Sequence, residues 1–483
     1  MKKGEGTYNV VVIGAGTAGL VTAAGTAGLG GRVALIERSL MGGDCLNFGC
    51  VPSKALISSA RLIQQIRNAE KWGLDRQSPQ FDFKKIFERM RARRAKIAPN
   101  DSQKRFESLG VDVFCGEAHF TSPREVEVNG QKLRAKNFVI AAGSRAVVPK
   151  IEGIDRIPYF TNETIFDELK KKPESMIVLG GGPIGCELGQ ALNRLGVKVT
   201  ILQSADQILP PEDVDVAGFM KERLEAEGVE IRVNVHVKHI EKHDGKIGGQ
   251  IVDCENRTAG FVGDALLVAT GRAPNLRSLK LEAAAVKYSE HGVEVNDYMQ
   301  TSQPHIYAAG DIANRLKFTH TADFTARVVV RNILMPFQFL RQKIDCAIVP
   351  WCTYTDPEVA HVGLGEKEAK RKNVEYDLFV VPLEDVDRAV VESEEAGFAK
   401  VLTRKGGDKI LGATIVAPHA GDLLHEFVLA MNAKVGLGKI ASMIHAYPTL
   451  AELARKAGDK YNKTRLTPRA KKIFTWLYER ARK

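Results

Sequence analysis

A strand–glycine–helix–strand pattern that occurs twice is the feature that most limits how this chain can fold. The first copy covers residues 8–37 and the second covers residues 176–203. The glycines of the turns are Gly14, Gly16 and Gly19 in the first copy and Gly180, Gly182 and Gly185 in the second. Such turns let a pyrophosphate approach the N-terminus of the following helix. Because both copies have this context, the sequence predicts two parallel-sheet domains that each bind a dinucleotide.

The residue at the end of each second strand indicates which dinucleotide the domain binds. Glu37 ends the first copy, and a carboxylate at this position suits the ribose hydroxyls of an adenosine. The equivalent Gln203 is neither that carboxylate nor the arginine that accompanies a 2′-phosphate. No lysine or arginine occurs from residue 203 to residue 211, so the second domain is predicted to favour NADH over NADPH.

Cys45 and Cys50 are five residues apart in a glycine-containing turn that precedes a predicted helix. Pro52 is tolerated in the first turn of that helix, and a thiolate at a helix N-terminus has a lowered pKa. The pair can close a small disulfide ring, and two structural thiols or half of a metal site are the alternatives. No second cysteine or histidine pair at ligand spacing accompanies it, so no metal site is predicted.

These motifs together resemble the class I pyridine nucleotide–disulfide oxidoreductases, which include dihydrolipoyl dehydrogenase, glutathione reductase and mercuric reductase. The resemblance extends from Asn9 to Ala457. Residues 45–54 are similar to the redox-disulfide motif, residues 269–272 to the turn after the nicotinamide domain, and residues 306–311 to a flavin-binding segment. The resemblance implies an FAD-dependent oxidoreductase that takes electrons from NADH or NADPH and forms a homodimer.

The resemblance also implies roles for individual residues. Cys45 would attack the acceptor, and Cys50 would contact the flavin. Lys54 would lie near the flavin ring and pair with Glu187. Additional cofactor contacts are expected at Gly143, Gly310 and Asp311 for FAD and at Gly271 for the nicotinamide nucleotide.

The implied fold class is α/β, with two Rossmann-like dinucleotide-binding domains, for FAD and NAD(P), and a C-terminal α+β dimerisation domain. The length of 483 residues is too great for one core and suits about three domains. The expected parts are residues 1–155 for the first part of the FAD domain, 156–278 for the NAD(P) domain, 279–349 for the return of the FAD domain, 350–467 for the dimerisation domain and 468–483 for a basic amphipathic tail.

The C-terminal motif departs from that of the disulfide reductases in this family. Those enzymes carry a histidine where this chain has Tyr447, with a glutamate five residues later that corresponds to Glu452. Tyrosine has an ordinary pKa near ~10 and is a poor base at neutral pH. Mercuric reductases also have a tyrosine there, although no cysteine follows Cys352 to form their terminal metal-delivering pair. The motif therefore favours a metal-ion acceptor such as Hg(II) over a small-molecule disulfide.

Two alternatives to this function stay open at the level of sequence. In the first, His445 replaces the missing base, and the chain is a dihydrolipoyl dehydrogenase or another disulfide reductase. In the second, which belongs to a different class, the chain is a non-catalytic flavin-binding redox sensor.

Composition argues against several other classes of protein. Seven scattered cysteines do not form a disulfide scaffold, and no apolar run is long enough to span a bilayer. The N-terminus lacks a secretion signal, so we expect a cytoplasmic protein. The net charge of +11 accompanies no nucleic-acid-binding motif. Residues 468–483 are predicted to form a basic helix with an apolar face, which lies either on an anionic membrane surface or on a partner subunit.

Overall fold

The computed structural model describes residues 3–313, 316–345 and 347–482. The chain divides into two compact units. The first consists of Met1–Ile63, Pro79–Asp206 and Glu225–Asp345. The second consists of Gln64–Ser78, Gln207–Leu224 and Cys346–Lys483. Each unit therefore combines segments that are distant in the sequence.

The N-terminal part of the chain contains the first glycine-rich turn and both cysteines of the pair. Its strands are β1 (Thr7–Ile13), β2 (Val33–Glu37), β3 (Val111–Cys115), β4 (Ala118–Ser122), β5 (Glu125–Val128), β6 (Gln131–Ile140) and β7 (Ser144–Ala146). Its helices are α1 (Thr17–Gly28), α2 (Gly43–Asn47), α3 (Cys50–Arg67), α4 (Phe83–Ile97) and α5 (Gln103–Ser108).

The middle part contains the second glycine-rich turn and then returns to the first sheet. Its strands are β8 (Ser175–Leu179), β9 (Lys198–Leu202), β10 (Glu230–Arg232), β11 (Val235–His243), β12 (Lys246–Asp253), β13 (Thr258–Gly263), β14 (Ala265–Val268), β15 (Arg272–Pro274), β16 (Tyr288–Ser289), β17 (Gly292–Val293) and β18 (Ile306–Ala308). Its helices are α6 (Ile165–Glu168), α7 (Pro183–Arg194), α8 (Val214–Ala226) and α9 (Thr319–Leu334).

The C-terminal part mixes an antiparallel sheet with short helices. Its strands are β19 (Pro350–Thr353), β20 (Glu358–Gly363), β21 (Tyr376–Pro382), β22 (Phe398–Arg404) and β23 (Ile410–Ala417). Its helices are α10 (Glu366–Arg371), α11 (Asp387–Val391), α12 (Ala420–Leu423), α13 (His425–Asn432), α14 (Leu437–Ala441), α15 (Glu452–Arg465) and α16 (Pro468–Ala481). The five strands form one sheet in the order β19-β20-β23-β22-β21.

One mixed sheet and one parallel sheet form the framework of the first unit, and in the mixed sheet the β6-β5 and β5-β4 pairs are antiparallel. One has the strand order β3-β2-β1-β6-β5-β4, and β18 also pairs with β6 in parallel. The other has the order β10-β9-β8-β14, and all its neighbouring strands are parallel. Because the carboxyl ends of β1, β6 and β18 meet at one edge of their sheet, the turns that follow these strands lie close together.

The apolar residues of β1 explain why its sheet is covered on both faces. Val11 and Ile13 pack in one core cluster, whereas Val10 and Val12 pack in another. Successive strand residues point to opposite faces, so a continuous run of valine and isoleucine fills a core on each side. The predicted α/β class, with two Rossmann-like domains and a C-terminal α+β domain, is confirmed. Across the described residues, no helix is both long and apolar enough to cross a membrane.

Candidate functional site

The first glycine-rich turn connects β1 to α1 and is too tight for side chains. A Cβ atom on Gly19 would lie 1.8 Å from the carbonyl oxygen of Gly14, so only glycine lets the helix approach the turn this closely. Helix α1 begins after Gly16, which provides no side-chain cap for its first amides. Uncapped amides at the positive end of a 12-residue helix are suited to a pyrophosphate.

Glu37 and Gln203 hold equivalent positions beside the two turns. Glu37 Oε2 accepts a hydrogen bond from the Ala15 amide at 2.7 Å. Gln203 Oε1 accepts one from the Gly181 amide at 2.9 Å. Each side chain thus connects the end of its strand to its glycine-rich turn.

The second turn repeats the close approach of helix and strand. A Cβ atom on Gly185 would lie 1.9 Å from the carbonyl oxygen of Gly180. Helix α7 begins after Gly182, again without a side-chain cap. Both turns therefore fit the pyrophosphate of a dinucleotide.

The two cysteines of the pair lie on consecutive helices. Cys45 is in α2, and Cys50 is the first residue of α3. The Gly42 amide donates to the Ala15 carbonyl at 2.9 Å, which attaches the segment before Cys45 to the first glycine-rich turn. Both cysteines are free thiols, and Cys50 Sγ lies 3.4 Å from Thr319 Oγ1 at the start of α9.

The environment gives the two thiols very different acidities. The hydrogen bond from Cys45, together with the charge of Lys54, lowers the pKa of Cys50 to about 6, although burial opposes the change. The same hydrogen bond and burial raise the pKa of Cys45 above its ordinary value. In the dithiol state Cys50 is therefore the thiolate, and Cys45 keeps its proton at neutral pH.

Lys54 and Glu187 form an ion pair beside Cys50. Lys54 Nζ is 2.8 Å from Glu187 Oε2. Lys54 lies one turn after Cys50 on α3, and the buried Glu187 comes from α7. The pair connects the helix that carries the thiolate to the helix of the second glycine-rich turn. It also keeps a positive charge near Cys50.

Arg272 lies at the centre of a second cluster of polar side chains. The sequence indicated this residue only as the last position of the 269–272 motif. Arg272 Nη2 lies 3.1 Å from Asp44 Oδ1, directly before Cys45. Arg272 Nε donates to Ser144 Oγ at 2.9 Å, and Ser144 Oγ donates to Asp311 Oδ2 at 2.5 Å. Burial raises the pKa of Asp44, and the charge of Arg272 partly offsets this. Arg272 therefore connects the segment before Cys45 to Ser144 and Asp311.

The other named glycines lie on the turns around this group. Gly143 and Gly310 have φ angles of +65° and +77°, and Gly271 has a φ of +134°. The Gly271 carbonyl accepts from the Val147 amide at 3.0 Å. These positions leave backbone, rather than side chains, at the carboxyl ends of the parallel strands β6, β18 and β14.

The C-terminal candidates each have a different partner within the second unit. Tyr447 Oη donates to Asp387 Oδ2 at 2.8 Å, and this hydrogen bond raises the pKa of Tyr447. The buried Glu452 accepts from Arg455 Nη2 at 2.6 Å. Tyr447 and Glu452 thus do not form an acid–base pair with each other.

Both ring nitrogens of His445 face acceptor oxygens. Nε2 lies 3.0 Å from Glu426 Oε1, and Nδ1 lies 3.2 Å from the Met443 carbonyl oxygen. The side chain is only 7% exposed. Each ring nitrogen of His445 therefore has an acceptor oxygen within hydrogen-bonding distance in the second unit.

One carboxylate cluster in the described residues has the spacing of a metal site. It consists of Asp213, Asp215 and Glu366. The ammonium of Lys400, which is 1% exposed, lies 3.0, 2.8 and 2.6 Å from these three carboxylates. The lysine thus supplies the positive charge at this position, and the cluster is an ion-pair network around the buried Lys400, with Asp213 buried and Asp215 exposed.

Residues that the sequence did not single out complete the site. Thr319 contacts Cys50 across 269 positions of the chain. Asn162 Nδ2 donates to Asp44 Oδ1 and to the Phe48 carbonyl, each at 3.2 Å. Neither residue belongs to a recognisable motif, so no local signal identifies them. Asp44 could have been named as a site residue from the sequence, because it directly precedes Cys45.

Known proteins share the sequence of this chain over most of its length. The sequence profile of the pyridine nucleotide-disulphide oxidoreductases matches residues 8–326, and the profile of their dimerisation domain matches residues 349–457. A mercuric reductase of Staphylococcus aureus is 32% identical over 95% of this chain and 83% of its own length. A dihydrolipoyl dehydrogenase of Geobacillus stearothermophilus is 34% identical over 93% of this chain and 95% of its own.

A solved structure has the same fold over nearly the whole chain. The Cu(II) complex of the HOCl-induced flavoprotein disulfide reductase RclA from Escherichia coli superposes with a TM-score of 0.84 and 27% identity. The match covers 94% of this chain and 99% of that one. The identities to the two named enzyme classes, 32% and 34%, differ too little to choose an electron acceptor.

Proposed function

The chain belongs to the pyridine nucleotide–disulphide oxidoreductase family, and on that premise we propose that it reduces a thiol-binding metal ion through Cys45 and Cys50. Family membership makes it an FAD-dependent oxidoreductase enzyme, which leaves the non-catalytic sensor without support. The acceptor class rests on the partners of the C-terminal candidates. Tyr447 Oη donates to Asp387, and both ring nitrogens of His445 face acceptor oxygens. The hydrogen bond with Cys50 and burial raise the pKa of Cys45, so this thiol needs a base before it can attack a disulfide.

Each cofactor has a set of residues suited to hold it. FAD would be held by Gly14, Gly16, Gly19, Glu37, Gly143, Gly310 and Asp311, and the nicotinamide nucleotide by Gly180, Gly182, Gly185, Gln203 and Gly271. Bound FAD would supply hydride acceptance from the reduced nicotinamide and two-electron transfer to a Cys45–Cys50 disulfide. Gln203 and the absence of basic residues from 203 to 211 support NADH as the better donor.

The proton on Cys45 distinguishes the two acceptor classes. A dithiol–disulfide exchange needs the attacking thiolate, so a protonated Cys45 without a base reacts slowly. A soft metal ion needs no base, because coordination to sulfur itself displaces the thiol proton. Lys54 contributes by stabilising the Cys50 thiolate, so that the pair presents one thiolate and one exchangeable proton to the metal.

The reaction balances for the two metal ions that the relatives suggest. One reduced nicotinamide supplies two electrons and releases one proton. These electrons reduce one Hg(II) to Hg(0) or two Cu(II) to two Cu(I). The S. aureus relative is a mercuric reductase, and RclA was solved with Cu(II), so both ions are the first acceptors to assay.

A disulfide reductase is the second candidate, favoured by the Glu426–His445 pair. A carboxylate that orients an imidazole is the usual arrangement of a histidine base. The pair would serve this role if substrate or the partner subunit freed one ring nitrogen. In that case lipoamide would be turned over, and the His445→Ala variant would lose that activity.

Anaerobic titration of the FAD-loaded protein tests the proposal. NADH is expected to produce a long-wavelength thiolate–flavin absorbance that is absent from Cys50→Ser and present in the Cys115→Ser control, which removes another exposed thiol. Subsequent turnover with Hg(II) or Cu(II), and little with lipoamide, is the expected acceptor profile. Efficient turnover of lipoamide, with none of either metal ion, would refute the metal-ion acceptor.

A further inference from the structure

The terminal helix α16 exposes a set of large apolar side chains. None of the residues in Pro468–Ala481 is buried. The exposed fractions are 59% for Ile473, 49% for Phe474, 55% for Trp476, 46% for Leu477 and 68% for Tyr478. The profile of the dimerisation domain ends at residue 457, so family membership does not account for this helix.

Local sequence determines where α16 begins. Thr467 Oγ1 accepts from the Ala470 amide at 3.2 Å, and Pro468 occupies the first turn. A helix of 14 residues without a buried side chain is only marginally stable in water. A surface that covered its apolar face would therefore stabilise it.

The side chains of α16 separate into an apolar arc and basic borders. Ile473 and Leu477 share one face with Phe474 and Tyr478, because residues three and four apart are neighbours on a helix. The helical spacing puts Arg469 and Arg480 along one border of this arc and Lys471 and Arg482 along the other. Lys472 and Glu479 lie on the opposite side of the helix.

The charge of this segment is strongly positive. It contains five basic residues and one acidic residue between positions 469 and 482. Aromatic side chains accompany the cations, and the guanidinium of Arg480 lies 5.6 Å from the centre of the Trp476 ring. Cations on both borders of an apolar arc match phosphate headgroups beside acyl chains. Protein interface cores, in contrast, are depleted of lysine.

We propose that α16 binds the surface of an anionic lipid bilayer and lies parallel to it, with Phe474 and Leu477 in the acyl boundary. This inference concerns where the enzyme works, and it is independent of the acceptor proposed above. Each basic residue close to an anionic surface strengthens binding roughly fivefold. Charges on the far side of the helix contribute less to membrane binding. They lie about one helix diameter from the lipid surface, and salt screens electrostatic attraction over about 10 Å.

Vesicle sedimentation with the FAD-loaded, full-length chain tests the proposal. Vesicles of phosphatidylcholine mixed with phosphatidylglycerol should bind the protein at low salt, and vesicles of phosphatidylcholine alone should bind it weakly. Deletion of residues 467–483 and the Leu477→Glu change should each reduce binding by more than about tenfold. Flavin absorbance and gel filtration check that the variants fold.

Two matched charge variants make the test specific. Arg480→Gln, on the border of the apolar arc, should weaken binding roughly fivefold. Lys472→Gln removes the same charge from the opposite side and should have a smaller effect. Equal effects of the two variants, or vesicle binding that survives the deletion, would overturn the proposal. A deletion that dissociates a dimer without changing vesicle binding would instead assign α16 to the subunit interface.

Discussion

The Lys54→Met substitution tests how the fold sets the charge of Cys50. With a pKa of about 6, roughly nine-tenths of Cys50 is thiolate at pH 7. A neighbouring opposite charge lowers a pKa by about 1–3 units. Because Lys54 is 34% exposed and its field is screened, we expect its removal to raise the Cys50 pKa by about one unit. The Glu187 carboxylate, no longer offset by the Lys54 charge, adds to the rise.

The readout is the thiolate–flavin absorbance of the two-electron-reduced, FAD-loaded protein as a function of pH. Because the pKa of Cys50 is lowered, the absorbance should persist at neutral pH and disappear as the pH falls through about 6. In Lys54→Met the midpoint should move to about 7. The Lys54→Met, Glu187→Gln double variant should return part of the way, because it also removes the repelling carboxylate.

Two further variants determine whether the reasoning holds. Lys136→Met removes an exposed lysine from β6 and should leave the midpoint unchanged. Cys45→Ala has no disulfide to take up the two electrons, so its thiolate–flavin absorbance is read without reductant. The variant lacks the hydrogen bond that contributes most to the low pKa of Cys50, so its midpoint should rise more than that of Lys54→Met. A midpoint that stays near 6 in both Lys54→Met and Cys45→Ala would refute this account of the thiolate.

Three other substitutions test the choice of electron acceptor, the ion pairs of Lys400 and the first glycine-rich turn. His445→Ala should leave metal-ion turnover within about twofold of the unmodified enzyme in steady-state assays, because both its ring nitrogens are already engaged. Lys400→Met leaves three carboxylates facing one another and should lower the free energy of unfolding by about 3–5 kcal/mol in urea titrations, whereas the exposed Lys372→Met should change it little. Gly19→Ala should abolish FAD retention during purification, measured by flavin absorbance, because its Cβ atom would lie 1.8 Å from a carbonyl oxygen. Gly28→Ala, at the other end of α1, meets nothing within 4 Å and should retain FAD.

Local patterns were sufficient to predict the fold class. The glycine-rich turns each lie between a strand and a helix that are contiguous in the sequence, so their structure depends on short-range sterics. The pairing of β18 with β6 is different, because Ile306 lies beside Phe138 across a long intervening segment. Periodicity shows that each strand exists, but it does not specify which distant strand becomes its neighbour.

The candidate site also combines residues that a short segment of sequence identifies with residues that only the tertiary structure identifies. The spacing of Cys45 and Cys50, and the start of α3 at Cys50, are properties of one short segment. Thr319, which contacts Cys50, comes from a segment that no motif marks. The sequence also left His445 available as a base, whereas the structure pairs its ring with Glu426 and the Met443 carbonyl.

The sequence by itself determined features that short segments encode: two dinucleotide turns, a cysteine pair and a basic amphipathic terminal helix. The tertiary structure decided how those groups are charged and paired. It placed Lys54 against Glu187, Arg272 against Asp44, and Lys400 among three carboxylates. The physical reason is that ion pairing and pKa depend on distance and burial, and folding brings these partners together from remote parts of the chain.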